Sequence, residues 1–142
     1  MIGKEIYELL DVLEKDTNSS VIDLTSSKIK GFKNDILQQL QLKGPKLKTL
    51  HKKLKNYRYC TDLRDLQYGF YIRWIPLTNP DKICLTNGGF VCDVKLLNGN
   101  LNVLCKNSLN RFFQFKFDEV IIFQKISNQE NVILGILDYL ET

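Results

Sequence analysis

Hydrophobic residues recur at helical spacing over the first part of the chain. Over residues 2–14 they follow the i, i+3, i+4, i+7 spacing of an amphipathic helix, with an apolar side made of Ile2, Ile6, Leu9, Leu10 and Leu13. A helix of this length is marginal on its own and must bury its apolar side on the same domain or on another copy. The sequence therefore leaves open both a packed helix and a self-association helix.

Two further helices are predicted before residue 58. Thr25 or Ser26 is a suitable N-cap for a helix that reaches about Leu42. Lys43-Gly44-Pro45 ends that helix and begins the third, because proline favours the first helical position. The apolar side of the second helix is predicted to hold Phe32, Ile36, Leu37 and Leu40, and that of the third Leu47, Leu50, Leu54 and Tyr57.

From residue 68 onwards the pattern changes to short segments of alternating apolar and polar residues, which is typical of β-strands. The predicted strands span residues 68–76, 82–86, 90–97, 101–105, 111–117 and 120–125. Asn87-Gly88-Gly89 and Asn98-Gly99 supply the positive-φ residues of tight hairpins between neighbouring strands. A closing helix is predicted after the last strand, with its cap near Ser127 or Asn128.

These elements predict an α+β fold. We expect a small antiparallel SH3-like β-barrel or curled sheet, preceded by two or three helices and closed by a C-terminal helix. The predicted domains are a helical, basic region over residues 1–58 and a β-barrel-like domain with the C-terminal helix over residues 59–142.

Positive charge is concentrated in one central segment of a chain whose formal net charge is +4. Residues 28–58 carry ten Lys or Arg side chains and one Asp, whereas residues 1–27 carry two Lys and six acidic residues. Such a block favours anionic partners, namely nucleic acid or an acidic protein surface, although a solvated Lys-rich helix face is an alternative. The predicted nucleic-acid contacts are Lys43, Lys46, Lys48, Lys52, Lys53, Lys55 and Arg58.

No arrangement of residues points to catalysis, a cofactor or a bound metal. The chain has no Gly-rich phosphate loop and no nucleophile elbow. His51 is the single histidine, and the four cysteines include no Cys-x-x-Cys pair, which disfavours zinc. We expect a non-enzymatic protein whose cysteines are reduced, with Cys84, Cys92 and Cys105 buried as small hydrophobic residues. No apolar run is long enough for a membrane span.

Aromatic residues alternate along the predicted strands, where most such residues belong to the core. The exceptions are Tyr71 with Arg73 and Phe112, which we predict to face outward as partner contacts. An exposed aromatic set would suit stacking with single-stranded nucleic acid or a cage for a methylated cation.

Three short motifs follow one another between residues 69 and 125: Gly69-Phe-Tyr-Ile-Arg-Trp-Ile75, Gly88-Gly89 and Val120-Ile-Ile-Phe-Gln-Lys125. In this order they resemble a group of short, poorly characterised proteins of nucleocytoplasmic large DNA viruses, of the Marseillevirus-like type. The absence of alanine agrees with such a source. The resemblance implies a virus-encoded accessory protein located in the virion or in a viral factory in the host cytoplasm, and it implies no active-site residues.

The residue patterns predict a non-enzymatic binding module, which the resemblance implies is a viral accessory or virion-associated protein. It would contact nucleic acid or an acidic partner through the Lys-rich helix. The alternative is a structural or assembly protein that forms a homo-oligomer through the N-terminal helix and does not bind nucleic acid.

Overall fold

A computed structural model describes residues 25–141, which form three helices and a six-stranded antiparallel sheet. The helices are α1 (Ser26–Gln38), α2 (Gly44–Lys53) and α3 (Asn128–Glu141). The strands are β1 (Tyr57–Cys60), β2 (Tyr71–Pro76), β3 (Gly89–Leu97), β4 (Asn100–Lys106), β5 (Phe112–Lys116) and β6 (Val120–Lys125). These elements confirm the α+β class, while the helix predicted over residues 2–14 lies outside the described residues.

The described residues divide into two compact units. Residues 25–41 and 126–141 form the helical unit, and residues 42–125 form the sheet unit. The division differs from the predicted boundary after residue 58, because β1 spans that position and pairs with β6 from Tyr57↔Lys125 to Cys60↔Ile122. α2 therefore belongs to the same unit as the sheet.

In the helical unit, α1 and α3 share a small apolar cluster. Ile29 of α1 is buried with Ile133 and Leu134 of α3. The backbone N–H of Ser26 donates to Asp138 Oδ1 at 2.9 Å. Hydrogen bonds from the side chain and from the backbone of Ser26 lower the pKa of Asp138, and they tie the first turn of α1 to the last turns of α3.

Both helices of this unit begin at the caps that the sequence predicted. The Thr25 hydroxyl accepts from the N–H of Lys28 at 3.2 Å. At the start of α3, Ser127 Oγ accepts from the N–H of Glu130, and Glu130 Oε1 accepts from the N–H of Ser127. This reciprocal pair is a capping box, which satisfies two donors of the first helical turn.

The apolar side of α1 is rotated from the one predicted. Its buried residues are Ile29, Lys33 and Leu37, at i, i+4 and i+8, whereas Phe32 is 52% exposed. Phe32 lies one position away from this row and therefore faces outward. Burial lowers the pKa of Lys33, and the nearby charge of Lys30 adds to the effect.

The sheet is open. Its strand order is β1-β6-β2-β3-β4-β5, so β1 and β5 form its edges and the closed-barrel form of the prediction is wrong. The sheet unit has a core cluster of seven buried residues: Cys60, Ile72, Trp74, Val91, Val103, Cys105 and Ile122. The partly buried Phe115 packs against this cluster.

The Asn98-Gly99 hairpin is confirmed. Asn98 and Gly99 have φ values of 51° and 78°, and they join β3 to β4 next to the Leu97↔Asn100 pair. Two residues with positive φ produce the twist that a tight hairpin needs, which explains why Asn-Gly occurs here.

Two other local predictions are wrong. Residues 82–86 form no strand, and Asn87-Gly88-Gly89 leads from the connection between β2 and β3 into β3. The helix predicted to reach Tyr57 ends at Lys53, since Tyr57 pairs with Lys125 of β6 and this long-range strand pairing outweighs the helical spacing.

Candidate nucleic-acid interface

The lysines of α2 and its flanks are exposed. This set, which we call the basic surface, consists of Lys43, Lys46, Lys48, Lys52, Lys53 and Lys55. Arg58, predicted to join them, is only 2% exposed, because it lies in β1 and its Nη2 donates to the backbone oxygen of Asp65 at 3.0 Å. A buried guanidinium cannot meet a phosphate at the surface, so Arg58 is not part of the basic surface.

The basic surface lies in a part of the chain without acidic residues. Residues 36–61 contain no Asp or Glu. Within the described residues, no ion pair joins a lysine of the 43–53 segment to a carboxylate. In contrast, Lys95 and Lys116 lie 3.9 and 3.8 Å from the carboxylates of Asp93 and Glu119. Within the described residues, the positive charge of the lysines in the 43–53 segment is therefore not neutralised by an ion pair.

The positions of these lysines on α2 differ in what they do for the helix. His51, Lys52 and Lys53 occupy its last turn, where positive charge interacts favourably with the helix dipole. The first turn contains no acidic residue and instead carries Lys46, next to the N-cap Lys43. Positive charge at that end opposes the dipole, so helix stability does not explain Lys43 and Lys46.

A groove runs between α2 and the loop of residues 77–88 that joins β2 to β3. This basic groove has a volume of about 270 Å³ and is lined by Lys46, Thr49, Leu50, Lys53, Ile83, Cys84 and Leu85. Lys46, Thr49 and Lys53 are spaced i, i+3 and i+7, which places them on one side of the helix. The groove thus combines two ammonium groups with an apolar floor.

A second cavity, of about 440 Å³, lies beside the next residues of the same loop. This aromatic pocket is lined by Tyr71, Trp74, Thr86, Asn87, Gly88, Asn107, Ser108, Leu109 and Phe113. The Trp74 ring centroid lies 6.4 Å from that of Phe113 and 4.5 Å from that of the half-buried Phe115. Among the described residues, no charged side chain lines the pocket.

Residues of β2 hold the loop that contributes to the lining of both cavities. The Tyr71 hydroxyl donates to the backbone oxygen of Asn87. Arg73 Nε donates to the backbone oxygen of Thr86 at 2.8 Å, and the backbone N–H of Trp74 donates to Thr86 Oγ1 at 3.1 Å. The loop therefore has a fixed position without forming a strand.

Gly88 permits this close approach. It has a φ of +93°, and a Cβ at this position would meet the backbone oxygen of Ile72 and come within 2.9 Å of side-chain carbons of Tyr71 and Arg73. Only glycine both tolerates this φ and leaves room for the neighbouring strand. The aromatic pocket thus depends on Gly88 for its shape.

The three predicted partner contacts have different environments. Tyr71 lines the aromatic pocket, while Arg73 is half-buried and holds the loop through Thr86. Phe112 is 61% exposed, has Lys106 Nζ 5.8 Å from its ring centroid and does not line the pocket. Sequence reasoning missed Phe113 as a pocket residue, because the Phe-rich alternation of β5 indicated a core face.

The four cysteines lie within the described residues and differ in exposure. None of the four is in a disulfide, and Cys84 and Cys92 are exposed, contrary to the predicted burial, whereas Cys60 and Cys105 are buried. Burial raises the pKa of the Cys105 thiol to about 12. Residues 25–141 contain no cluster of three or more His, Cys, Asp or Glu residues that could hold a metal ion.

None of the described helices combines the length and the apolar character that crossing a membrane requires. Comparisons of the chain with protein-family models, with curated proteins and with solved structures find no match. Among the described residues, the basic surface and the two cavities are the features with chemistry suited to a ligand.

Proposed function

We propose that this protein binds nucleic acid, without sequence specificity, through the phosphate contacts of the basic surface. The observation that carries the proposal is the run of exposed lysines over residues 43–55, in a stretch without acidic residues. Lysines that neutralise phosphates release condensed counterions, and this release supplies most of the free energy of nonspecific binding. No catalytic step is part of the proposal.

Two features distinguish the basic surface from an ordinary solvated helix face. Solvated lysine faces are usually interspersed with acidic residues at i, i+4, whereas α2 has none. Lys43 and Lys46 also lie at the helix end where positive charge is unfavourable. A cost to the helix at these two positions is understandable if the lysines serve a bound anion.

The chemistry of the basic surface favours phosphates over base edges. Lysine contacts phosphate as a compact point charge, whereas direct reading of base pairs mostly uses the bidentate groups of Arg, Asn or Gln. Asn56 is the residue of that type nearest to α2 on its C-terminal side, three positions beyond the helix end. We therefore expect duplexes of different sequence to bind with similar affinity.

The resemblance to proteins of large DNA viruses gives this proposal its biological setting, an accessory protein of a virion or a viral factory. We also propose that the strands of the open antiparallel sheet follow an SH3-like topology. The alternative function, self-association through the segment 2–14, predicts a homo-oligomer that is indifferent to nucleic acid.

Fluorescence anisotropy with labelled duplex DNA tests the proposed function. We expect binding at about 50 mM salt that weakens by orders of magnitude at about 200 mM salt, as counterion release requires. A variant with Lys46, Lys48, Lys52 and Lys53 changed to Glu should not bind. Absence of binding by the unchanged protein at the lower salt concentration would overturn the proposal, and a concentration-dependent oligomer under the same conditions would favour the alternative.

A further inference from the structure

The basic groove and the aromatic pocket share one loop. Ile83, Cys84 and Leu85 line the groove, and the next three residues, Thr86, Asn87 and Gly88, line the pocket. The midpoints of the two segments are three residues apart, a distance of at most about 11 Å along an extended chain. Consecutive residues of one loop therefore take part in the lining of both cavities.

We propose that the aromatic pocket accepts an unpaired nucleobase while Lys46 and Lys53 hold phosphates of the same strand. The ligand class is thus single-stranded nucleic acid. This inference rests on the proposed function and adds to it a site for the base.

The lining of the pocket fits a base. Phe113, which is exposed, and the half-buried Tyr71 offer ring surfaces, on which bases stack regardless of their sequence, while the mostly buried Trp74 completes the lining. Asn87 and Ser108 add exposed polar side chains without charge, which can bond to base edges. The volume of about 440 Å³ lies within the range of roughly 300–1,000 Å³ that is typical of ligand sites.

The charge nearby favours a base over a methylated cation. A cation cage needs an electrostatically favourable surrounding, and none of the described residues that line the pocket is acidic. The adjoining groove instead carries Lys46 and Lys53, which repel a cation and attract a phosphate. A nucleotide, with a flat neutral base joined to an anionic phosphate, matches both cavities.

A base in a duplex cannot enter this pocket without leaving its stack, which costs free energy. Single strands should therefore bind more tightly than duplexes of equal length, although duplexes carry more phosphates. An oligonucleotide without bases, which keeps the phosphates, isolates the contribution of the pocket.

The first experiment uses the unchanged protein, because its single tryptophan, Trp74, lines the pocket and reports on occupancy by its fluorescence. We expect short oligothymidylate and oligouridylate to quench Trp74, and an abasic oligomer of equal length to bind more weakly without quenching. Equal affinity for the oligothymidylate and the abasic oligomer, with no quenching by either, would overturn the base site and leave the proposed function intact. Quenching by tetramethylammonium but not by the oligonucleotides would show a cation cage instead.

The second experiment compares two phenylalanines that are exposed to similar extents. Phe113→Ala removes a ring that is 43% exposed from the pocket. Phe32→Ala removes a ring that is 52% exposed from α1, and Phe32 is not part of the pocket lining. We expect Phe113→Ala to weaken single-strand binding by about 5- to 100-fold, the loss typical of one stacked base, and to leave binding of the abasic oligomer unchanged. Phe32→Ala should change neither affinity. Equal effects of the two variants on the oligothymidylate would contradict the base site, while no binding to any polyanion would refute the proposed function itself.

Discussion

The ring centroids of Trp74 and Phe113 lie 6.4 Å apart, and the two side chains have different roles in the sheet unit. Trp74 is 7% exposed and belongs to the core cluster, whereas Phe113 is 43% exposed on the edge strand β5. Both line the aromatic pocket. The pocket thus has one wall that the fold holds rigidly and one that can be changed with less damage to the core, which is why Phe113 is substituted in the tests and Trp74 is the reporter.

The loop beside the pocket should be sensitive to a single methyl group. Gly88→Ala adds a Cβ against the Ile72 carbonyl oxygen at a φ of +93°, so we expect it to lower the free energy of unfolding by about 2–4 kcal/mol. Gly99→Ala is the control, because Gly99 has a φ of +78° but open space around the position, and its cost should be about 1 kcal/mol. Urea denaturation measures both, and equal costs would show that the close approach at Gly88 does not matter.

Stability and binding should separate at the first turn of α2. Lys46→Glu places an acidic residue near the helix N-terminus, where it should raise the free energy of unfolding by about 0.3–1 kcal/mol while weakening DNA binding. Lys52→Glu, in the last turn, should lower both stability and binding. Thermal denaturation and anisotropy on the same samples check the signs. A loss of stability in Lys46→Glu would contradict the view that this lysine opposes the helix dipole.

The capping box of α3 should carry measurable stability. Ser127→Ala removes the hydroxyl that accepts from the N–H of Glu130, and we expect a loss of about 1 kcal/mol in the free energy of unfolding. Ser108→Ala, at an exposed turn position, should change stability by only a few tenths of a kcal/mol. Chemical denaturation measures the stability of both variants. Equal stability of Ser127→Ala and Ser108→Ala would contradict the capping role of Ser127.

Thiol chemistry should divide the cysteines into two classes. The exposed Cys84 and Cys92 should react quickly with a thiol reagent, and the buried Cys60 and Cys105 only after unfolding. Two fast and two slow thiols are the expected count, and mass spectrometry of the labelled protein assigns them. Fast labelling of Cys105 in the native protein would contradict its burial.

The same thiol makes stability depend on alkaline pH. Burial raises the pKa of Cys105 from 9.0 to about 12, so between these values the unfolded state loses a proton that the folded state keeps. The contribution of Cys105 is complete below pH 9 and is lost as the pH rises towards 12. Denaturation curves between pH 9 and 12 measure this effect. The free energy of unfolding should fall less steeply with pH in Cys105→Val than in the unchanged protein, and identical slopes would exclude Cys105 as a source of the pH dependence.

Local features of this fold can be predicted from sequence. Asn98 and Gly99 tolerate the positive φ values of a tight hairpin, so their sequence indicates this turn. Thr25 and Ser127 have hydroxyl groups that cap the helices directly after them. The exposed lysines around α2 could likewise be predicted, because charge on a helix seldom becomes buried.

Features set by distant parts of the chain could not be predicted. β1 forms where β6 offers it a partner, and Arg58 becomes buried as a consequence. The aromatic pocket combines β2, the 86–88 segment, the 107–109 turn and β5, whose arrangement depends on the order of the strands in the sheet. Alternation along β5 gives no indication that Phe113 lines a cavity.

The salt dependence of DNA binding by two matched double variants tests the central claim most directly. Lys46→Gln with Lys53→Gln removes the two groove lysines, and Lys95→Gln with Lys116→Gln removes the same charge from lysines beside carboxylates. We expect the first variant to bind more weakly, with a plot of log K against log salt whose slope is smaller by about 2, and the second to match the unchanged protein. Equal slopes and affinities for the two variants would contradict the claim that the basic surface is where nucleic acid binds.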